Sequence, residues 1–347
     1  AREIVTIIIN EYGRTDFLKR ISDPFWFQAL GCVLAYDWHS SGVTTVLTGV
    51  LKEAIIPEEH GLAVCGGKGR ASRQTPVEIE SVGERFSFST GSIATLQYAS
   101  KMSAKVDNTA VQAGYQLYHH AFLISEDGKW AVIQQGMCPQ DRTARRYHWL
   151  SENIQNFVIE PHNAIVGDAR RDAVLDMTSR ESEGSRRASV DIAREKPEKI
   201  MRMIIPNNPT CQKSLQDWLP KITERQSIDT LSMPRGINWK TLKQVYDFQP
   251  RNYEELLGFK GVGPATVRGL ALVAELVYGE KPSWKDPVKY SFAYGGKDGV
   301  PFPVDRKAMD ESIQVLKQAI QEAKFGDKEK MRSLHRLSRF VPQNINQ

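Results

Sequence analysis

Apolar side chains at helical spacing dominate the two ends of the chain. The N-terminal segments "REIVTIIINEYG" and "DPFWFQALGCVLAYDW" carry apolar residues on a helical repeat, and from Ile200 onward the pattern is again helical. Between these ends, "YQLYHHAFLISEDGKWAVIQQGM" has the pattern of two strands joined by a turn. The sequence therefore predicts an α+β fold, in which a mixed N-terminal domain with an antiparallel sheet precedes an all-α domain.

The predicted β-hairpin covers residues 115–137 and has an Asp-Gly pair at its turn. Asp-Gly is typical of a two-residue turn, and the register of such a turn places His120 opposite Gln135. Neighbouring side chains of a strand point to opposite faces of the sheet. We therefore do not expect His119 and His120 to share one site.

Three regions follow from these patterns. Residues 1–170 form the predicted α+β domain, whose role the sequence leaves open. Residues 171–198 mix charges with Ser and Gly and lack a sustained apolar stripe, which indicates a charged linker with an exposed loop from Ser179 to Ala188. Residues 199–347 form the predicted helical domain.

Composition restricts the classes of function. Hydrophobic residues make up 41% and charged residues 25% of the 347 residues, as in soluble globular proteins. No apolar run reaches the roughly 18 residues of a membrane span, so no membrane partner is expected. The four cysteines lie far apart, which argues against a zinc ribbon, an iron–sulfur cluster or a disulfide framework and favours a cytoplasmic location.

Charge is distributed unevenly along the chain. Residues 199–347 contain 24 Lys and Arg against 16 Asp and Glu, a net charge of +8. Residues 1–198 contain 22 against 25, a net charge of −3. The basic C-terminal region is therefore expected to bind a polyanion, with a basic solvated surface as the alternative.

The stretch "LLGFKGVGPATVRGLAL" has the pattern of two helices joined by a glycine turn. Glycine allows the tight turn, and Pro264 suits the first turn of the second helix. Backbone amides at such a helix start bind phosphate without reading base sequence. An ordinary turn between two helices is the alternative. The predicted DNA-binding residues here are Lys260, Gly261, Val262, Gly263, Thr266 and Arg268.

This stretch resembles the helix-hairpin-helix of the DNA glycosylase superfamily. The later segment "PFPVDRKAMDESIQVLKQAI" places Asp305 where that superfamily has its catalytic aspartate. The resemblance implies that Asp305 supports hydrolysis of an N-glycosidic bond without a cofactor, although the same residue is also a good helix N-cap. Ala265 stands where bifunctional members carry a lysine, which implies a monofunctional enzyme unless Lys289 or Lys297 takes that role.

Nearly the whole chain also resembles an archaeal and thermophilic-bacterial family described only as a domain of unknown function. The segments that carry this likeness are "DPFWFQALGCVLAYDWHSSGVTT", "YHHAF", "QQGM", "ARRYHW" and "FPVD". The resemblance implies an intracellular protein and supplies no reaction.

The N-terminal region contains a set of polar residues that could form a second site. Asp107 with His120 is the candidate catalytic or metal-binding pair of a nuclease that uses Mg²⁺ or Mn²⁺, and a hydrogen-bonded polar layer is the alternative. Arg145 and Arg146 are candidate DNA contacts, or else pack against aromatic rings. The full set is Lys105, Asp107, Asn108, His119, His120, Gln134, Gln135, Arg145, Arg146 and His148.

A glycine- and cation-rich loop follows a short predicted strand. Its sequence "GGKGRASRQTP" lacks the spacing of a phosphate-binding P-loop. Both a phosphate contact and a plain surface turn stay open for this loop.

Four functions are compatible with these features. The first hypothesis is a DNA-repair hydrolase of glycosylase type that uses Asp305. The second is a metal-dependent DNA nuclease with its active site in the N-terminal domain. The third is a DNA-binding protein without enzymatic activity, and RNA processing is the fourth.

Overall fold

The computed structural model describes residues 1–36, 41–204, 233–234, 236–292, 306–324 and 326–340. The helices are α1 (Arg2–Ser22), α2 (Pro24–Val33), α3 (Val43–Ala54), α4 (Pro57–His60), α5 (Thr75–Arg85), α6 (Thr90–Lys105), α7 (Glu183–Ala193), α8 (Pro197–Ile204), α9 (Trp239–Phe248), α10 (Tyr253–Gly258), α11 (Pro264–Tyr278), α12 (Arg306–Glu322) and α13 (Asp327–Phe340). The strands are β1 (Leu62–Lys68), β2 (Val111–Gln112), β3 (Gln116–Ser125), β4 (Trp130–Cys138), β5 (Thr143–Leu150), β6 (Ala164–Gly167), β7 (Leu175–Asp176) and β8 (Tyr290–Ser291).

A mostly antiparallel sheet forms the centre of the molecule. Its strand order is β1-β3-β4-β5-β6-β8, with only the β6–β8 pair parallel among these neighbours. Strands β2 and β7 form a separate antiparallel pair. The prediction of an α+β fold with an antiparallel sheet is confirmed. None of the described helices is both long and apolar enough to cross a membrane.

The hairpin of β3 and β4 has a different turn from the predicted one. Ser125 and Lys129 close a three-residue loop, because the amide of Ser125 donates to the carbonyl of Lys129 at 2.9 Å. Gly128 occupies a left-handed conformation with φ of +80°, which suits the last position of such a loop. The extra loop residue moves the register by one, so His120 pairs with Gln134 rather than Gln135.

Alternate side chains of the sheet enter two different hydrophobic cores. On the first face, Leu123 and Ile133 pack with helices α1, α2 and α3. On the second face, Phe122 and Val132 pack with helices α5, α6, α7, α10 and α11. We call these the α1/α2 face and the α6/α11 face. The period of two in a strand accounts for this division.

The segment predicted as a charged linker is part of the core. Strand β7, a 3₁₀ turn at Arg180–Ser182 and helix α7 occupy it, and Val190 and Ile192 of α7 are buried. The prediction of an exposed loop from Ser179 to Ala188 is therefore wrong. Only one side of α7 needs apolar residues, so its many charged residues obscure the apolar pattern in the sequence.

The C-terminal helices do not stand apart from the N-terminal region. Helices α9, α10 and α11 share the core of the α6/α11 face, whereas α12 and α13 pack on α1 and α2. The hydroxyl of Tyr12 donates to Gln318 at 3.0 Å, and the guanidinium of Arg336 donates to the carbonyl of Val33 at 3.0 Å. The two predicted domains thus share both hydrophobic cores.

A buried ion pair fixes the segment between α11 and β8 to the sheet. Arg145 of β5 and Asp286 are both buried, and their closest nitrogen–oxygen distance is 2.6 Å. The same carboxylate accepts the amides of Arg171 at 2.7 Å and Val288 at 3.0 Å. Hydrogen bonds of this kind compensate in part for the cost of burying two charges.

We expect Asp286→Ala to lower the free energy of unfolding by about 3–5 kcal/mol, because it leaves the Arg145 guanidinium buried without its carboxylate. Urea unfolding followed by circular dichroism measures this change. The control is Lys285→Ala, which removes a cation that pairs with Glu181 at the exposed surface and should change stability little. Equal effects of the two substitutions would contradict the structural role of Asp286.

Candidate functional site

The polar motifs of the central strands lie side by side in the sheet. His119 pairs with Gln135, which pairs with Arg146, and these three side chains form a row on the α1/α2 face. The next row contains His120, Gln134 and Tyr147 and lies on the α6/α11 face. All six residues are buried. The expectation that His119 and His120 point to opposite faces is confirmed.

Gln134 is the bridge between the two residues of the predicted catalytic pair. Its amide oxygen lies 2.9 Å from Nδ1 of His120, and its amide nitrogen donates to Oδ2 of Asp107 at 2.6 Å. Nε2 of His120 lies 2.8 Å from the hydroxyl of Ser100. A continuous chain of hydrogen bonds thus runs from α6 through the sheet to Asp107.

Asp107 is a fully buried carboxylate with three polar partners. It lies in a π-helical turn, Val106–Ala110, directly after α6. Besides Gln134, its oxygens contact the indole nitrogen of Trp149 at 3.0 Å and Nε2 of His162 at 2.5 Å. Burial raises the pKa of Asp107, while the adjacent His162 and the hydrogen bonds from His162 and Trp149 act in the opposite direction.

The role of His162 was not predicted from the sequence. His162 precedes β6, is separated from Asp107 by 55 positions, and packs edge-on against Trp149 with ring centres 4.6 Å apart. Nothing local in "EPHNAIV" indicates such a partner. Only the tertiary fold brings this imidazole to the carboxylate.

The geometry does not favour a metal site at Asp107 and His120. Both ring nitrogens of His120 and both oxygens of Asp107 already contact other side chains, and Gln134 lies between the two residues. Within the described residues, no group of three or more His, Cys, Asp or Glu side chains could hold a metal ion. The pair fits the alternative of a hydrogen-bonded polar layer, and no Mg²⁺ or Mn²⁺ nuclease step follows from it.

The row on the α1/α2 face contains a second polar network. Nε2 of His119 lies 3.0 Å from the hydroxyl of Thr48. The guanidinium of Arg146 donates to Nε2 of His148 at 2.8 Å and to the side-chain oxygen of Gln28 at 3.1 Å. Helices α2 and α3 therefore cover this row with polar groups of their own.

Arg145 and Arg146 are fully buried, so neither guanidinium is available for the predicted contact with DNA phosphates. Arg145 lies over the ring of Tyr115 at 4.6 Å, and Arg146 lies over the ring of Phe27 at 4.5 Å. The structure therefore contains the alternative arrangement, in which both arginines pack against aromatic rings.

The turn between α10 and α11 contains one buried residue and two exposed ones. Val262 is buried, whereas Lys260 and Gly261 are exposed. Gly261 has φ of +95°, and a Cβ atom there would meet the hydroxyl of Thr241 at 2.6 Å. Gly261 is therefore glycine for structural reasons, since both its conformation and its contact with α9 exclude a side chain.

The other predicted DNA-binding residues of this region have structural contacts. Thr266 is buried in the first turn of α11. Arg268 is partly buried, with its guanidinium 5.3 Å from the ring centre of Trp284, and burial lowers its pKa. Ala265 is partly buried and Lys289 is exposed, whereas Lys297 and Asp305 lie outside the described residues.

The α10–α11 turn and the buried Asp107 lie next to each other. The ammonium group of Lys105 donates to the carbonyl of Val262, and the amide of Gln112 donates to the carbonyl of Pro264 at 2.9 Å. The π-helical turn with Asp107 lies between these two contacts in the chain. The two candidate sites, predicted in separate domains, are therefore neighbours.

We expect the free energy of unfolding to fall as the pH drops from about 6.5 to 4. Burial lowers the pKa of both His119 and His120 to about 4, whereas unfolded histidines titrate near 6.5. The unfolded chain then binds more protons, so each histidine contributes a slope of about 1.4 kcal/mol per pH unit in this window.

Urea unfolding of the wild type and of His120→Gln at about pH 7, 6 and 5 tests this linkage. The free energy of unfolding of the variant should depend less steeply on pH, by about one bound proton. The raised pKa of Asp107 acts in the opposite direction, and it does so in both proteins. Parallel curves for the two proteins would show that His120 is not buried in its neutral form.

Comparisons with known proteins give one family and no individual relative. Searches of curated proteins and of solved structures return no match. A family model matches residues 1–304, which include the whole sheet and the α10–α11 turn. The chain therefore belongs to the family described as "Protein of unknown function (DUF763)".

Proposed function

We propose that this protein binds DNA through the α10–α11 turn, which acts as a helix-hairpin-helix phosphate clamp. The observation that supports the proposal most directly is the open environment of Gly263. Its φ of −124° is open to any residue, and a Cβ atom there would meet nothing within 4 Å. The fold thus gives no reason for glycine at this position, unlike Gly261. At the start of a helix, such a glycine leaves the backbone open to close approach by an external group.

Electrostatics at the turn support a phosphate ligand. Helix α11 is 15 residues long, begins after Gly263, and has no side-chain cap on its first amides. The free amides and the helix dipole favour an anion at this end. Lys260 and Lys101 are exposed nearby, and the contact of Lys105 with Val262 brings the end of α6 to the same surface. A clamp of this kind holds DNA without reading its sequence.

For the reaction, we propose hydrolysis of the N-glycosidic bond of a damaged base, with Asp305 as the catalytic carboxylate. This part rests on the resemblance of "FPVD" to the glycosylase motif and on the resemblance of the hairpin. The carboxylate would stabilise the positive charge that develops on the sugar as the base leaves. The three described cysteines are free and buried, which fits a reducing compartment such as the cytoplasm.

We expect Gly263→Leu to raise the dissociation constant for duplex DNA roughly tenfold or more, because the side chain blocks the phosphate from the amides. Fluorescence anisotropy with a labelled duplex measures this constant. The control is Gly49→Leu, since Gly49 is exposed and, like Gly263, has open space around its Cβ position. A folded Gly263→Leu protein with wild-type affinity would contradict the clamp.

We expect Asp305→Asn to keep DNA binding while base excision falls roughly a hundredfold or more, because the negative charge is lost at nearly constant volume. Duplexes with single base lesions, read before and after alkali, measure excision. We also expect little covalent adduct after borohydride treatment, because Ala265 stands where bifunctional glycosylases carry a lysine. Breaks that appear without alkali and require a metal would instead indicate a nuclease, and binding without breaks would indicate a non-enzymatic protein.

A further inference from the structure

We infer that a second DNA contact lies in the loop between β1 and α5, at a surface formed by Lys68, Arg70 and Arg73. We call this surface the basic loop. The inference rests on the proposed DNA partner but not on the hairpin itself. The predicted partner is the sugar–phosphate backbone of duplex DNA.

The three cations of the basic loop are exposed and have no acidic partner. Among the residues that the structure describes, none of the ion pairs includes Lys68, Arg70 or Arg73. The nearest carboxylate along the chain is Glu78, which already binds the ammonium of Lys52 at 2.6 Å. The loop therefore presents three uncompensated positive charges within six positions, which favours a polyanion.

The loop is held rigidly at its base. The amide of Gly69 donates to the carbonyl of Tyr118 at 2.7 Å, and the amide of Gly66 donates to Glu78 at 2.7 Å. Within the loop, the hydroxyl of Ser72 donates to the carbonyl of Gly69 at 2.6 Å. A surface turn that serves only solubility does not need this degree of order. An ordered loop backbone loses less conformational entropy when the loop binds a ligand.

Contacts link both the basic loop and the α10–α11 turn to one stretch of α6. Gly67 pairs with His120, whose ring contacts Ser100 of α6 at 2.8 Å. Lys105, five residues further along α6, contacts Val262 of the hairpin. Five helical residues correspond to about 7.5 Å along the helix axis. The two contacts that link these surfaces to α6 are therefore separated by about 7.5 Å along its axis, a spacing that one duplex can span.

One further exposed cation lies on this stretch of α6. Lys101 is exposed on this stretch of α6, and its charge contributes to the lowered pKa of Lys105, for which burial is the larger cause. A DNA backbone that extends from the α10–α11 turn toward the basic loop would therefore meet the charge of Lys101 on the way.

The test measures duplex binding of four proteins by anisotropy over a series of salt concentrations. The proteins are the wild type, Arg70→Glu with Arg73→Glu, Gly263→Leu, and the control Lys317→Glu with Lys328→Glu. The control makes the same change in net charge on exposed positions of α12 and α13. We expect the basic-loop variant to bind at least tenfold more weakly than the control, with a salt slope lower by about 1.8 for two lost phosphate contacts.

The outcomes separate this inference from the proposed function. If the basic-loop variant binds like the control while Gly263→Leu loses affinity, the inference is overturned and the clamp stands. If Gly263→Leu binds normally and the basic-loop variant does not, the basic loop stands and the clamp falls. If no protein binds the duplex, both fail. Phosphatidylserine vesicles are the second probe, and loss of vesicle binding without loss of duplex binding would assign the loop to a membrane surface instead.

Discussion

The buried carboxylate of Asp107 is the constraint around which the α6/α11 face is arranged. A charge in this position costs several kcal/mol unless polar groups surround it. The sheet supplies Gln134 and Trp149, and the segment before β6 supplies His162. Three separate parts of the chain must therefore reach their final positions together before the carboxylate is satisfied.

The burial of Asp107 also determines where the α10–α11 turn lies. Asp107 fixes the π-helical turn after α6, and this turn separates Lys105 from β2. Lys105 and Gln112 then hold the backbone of the α10–α11 turn at Val262 and Pro264. Single π-helical turns occur frequently at functional sites.

Local rules account for what the sequence predicted correctly. The N-terminal helices, the β-hairpin and the opposite orientation of His119 and His120 all follow from periods of 3.6 and 2. The Asp-Gly pair was compatible with a loop of two or three residues, so the register was wrong by one. The structural role of Gly261 also follows locally, because its turn needs a positive φ.

Contacts between distant segments could not be predicted in this way. His162 and Asp286 have ordinary local sequences, and only the fold shows that they meet Asp107 and Arg145. The burial of Arg145 and Arg146 was missed for a related reason. A basic pair in a strand looks like a surface feature until the elements that cover each face are known.

The packing of α12 and α13 on α1 and α2 has a consequence for how the chain folds. The first helices are synthesised early, yet their covering helices come some 300 positions later, as the Tyr12–Gln318 contact shows with its separation of 306. At about 5–20 residues per second, the part of α1 and α2 that α12 and α13 cover stays exposed for roughly 15–60 s. During this interval the exposed apolar surface can aggregate, and it is the kind of surface that chaperones bind.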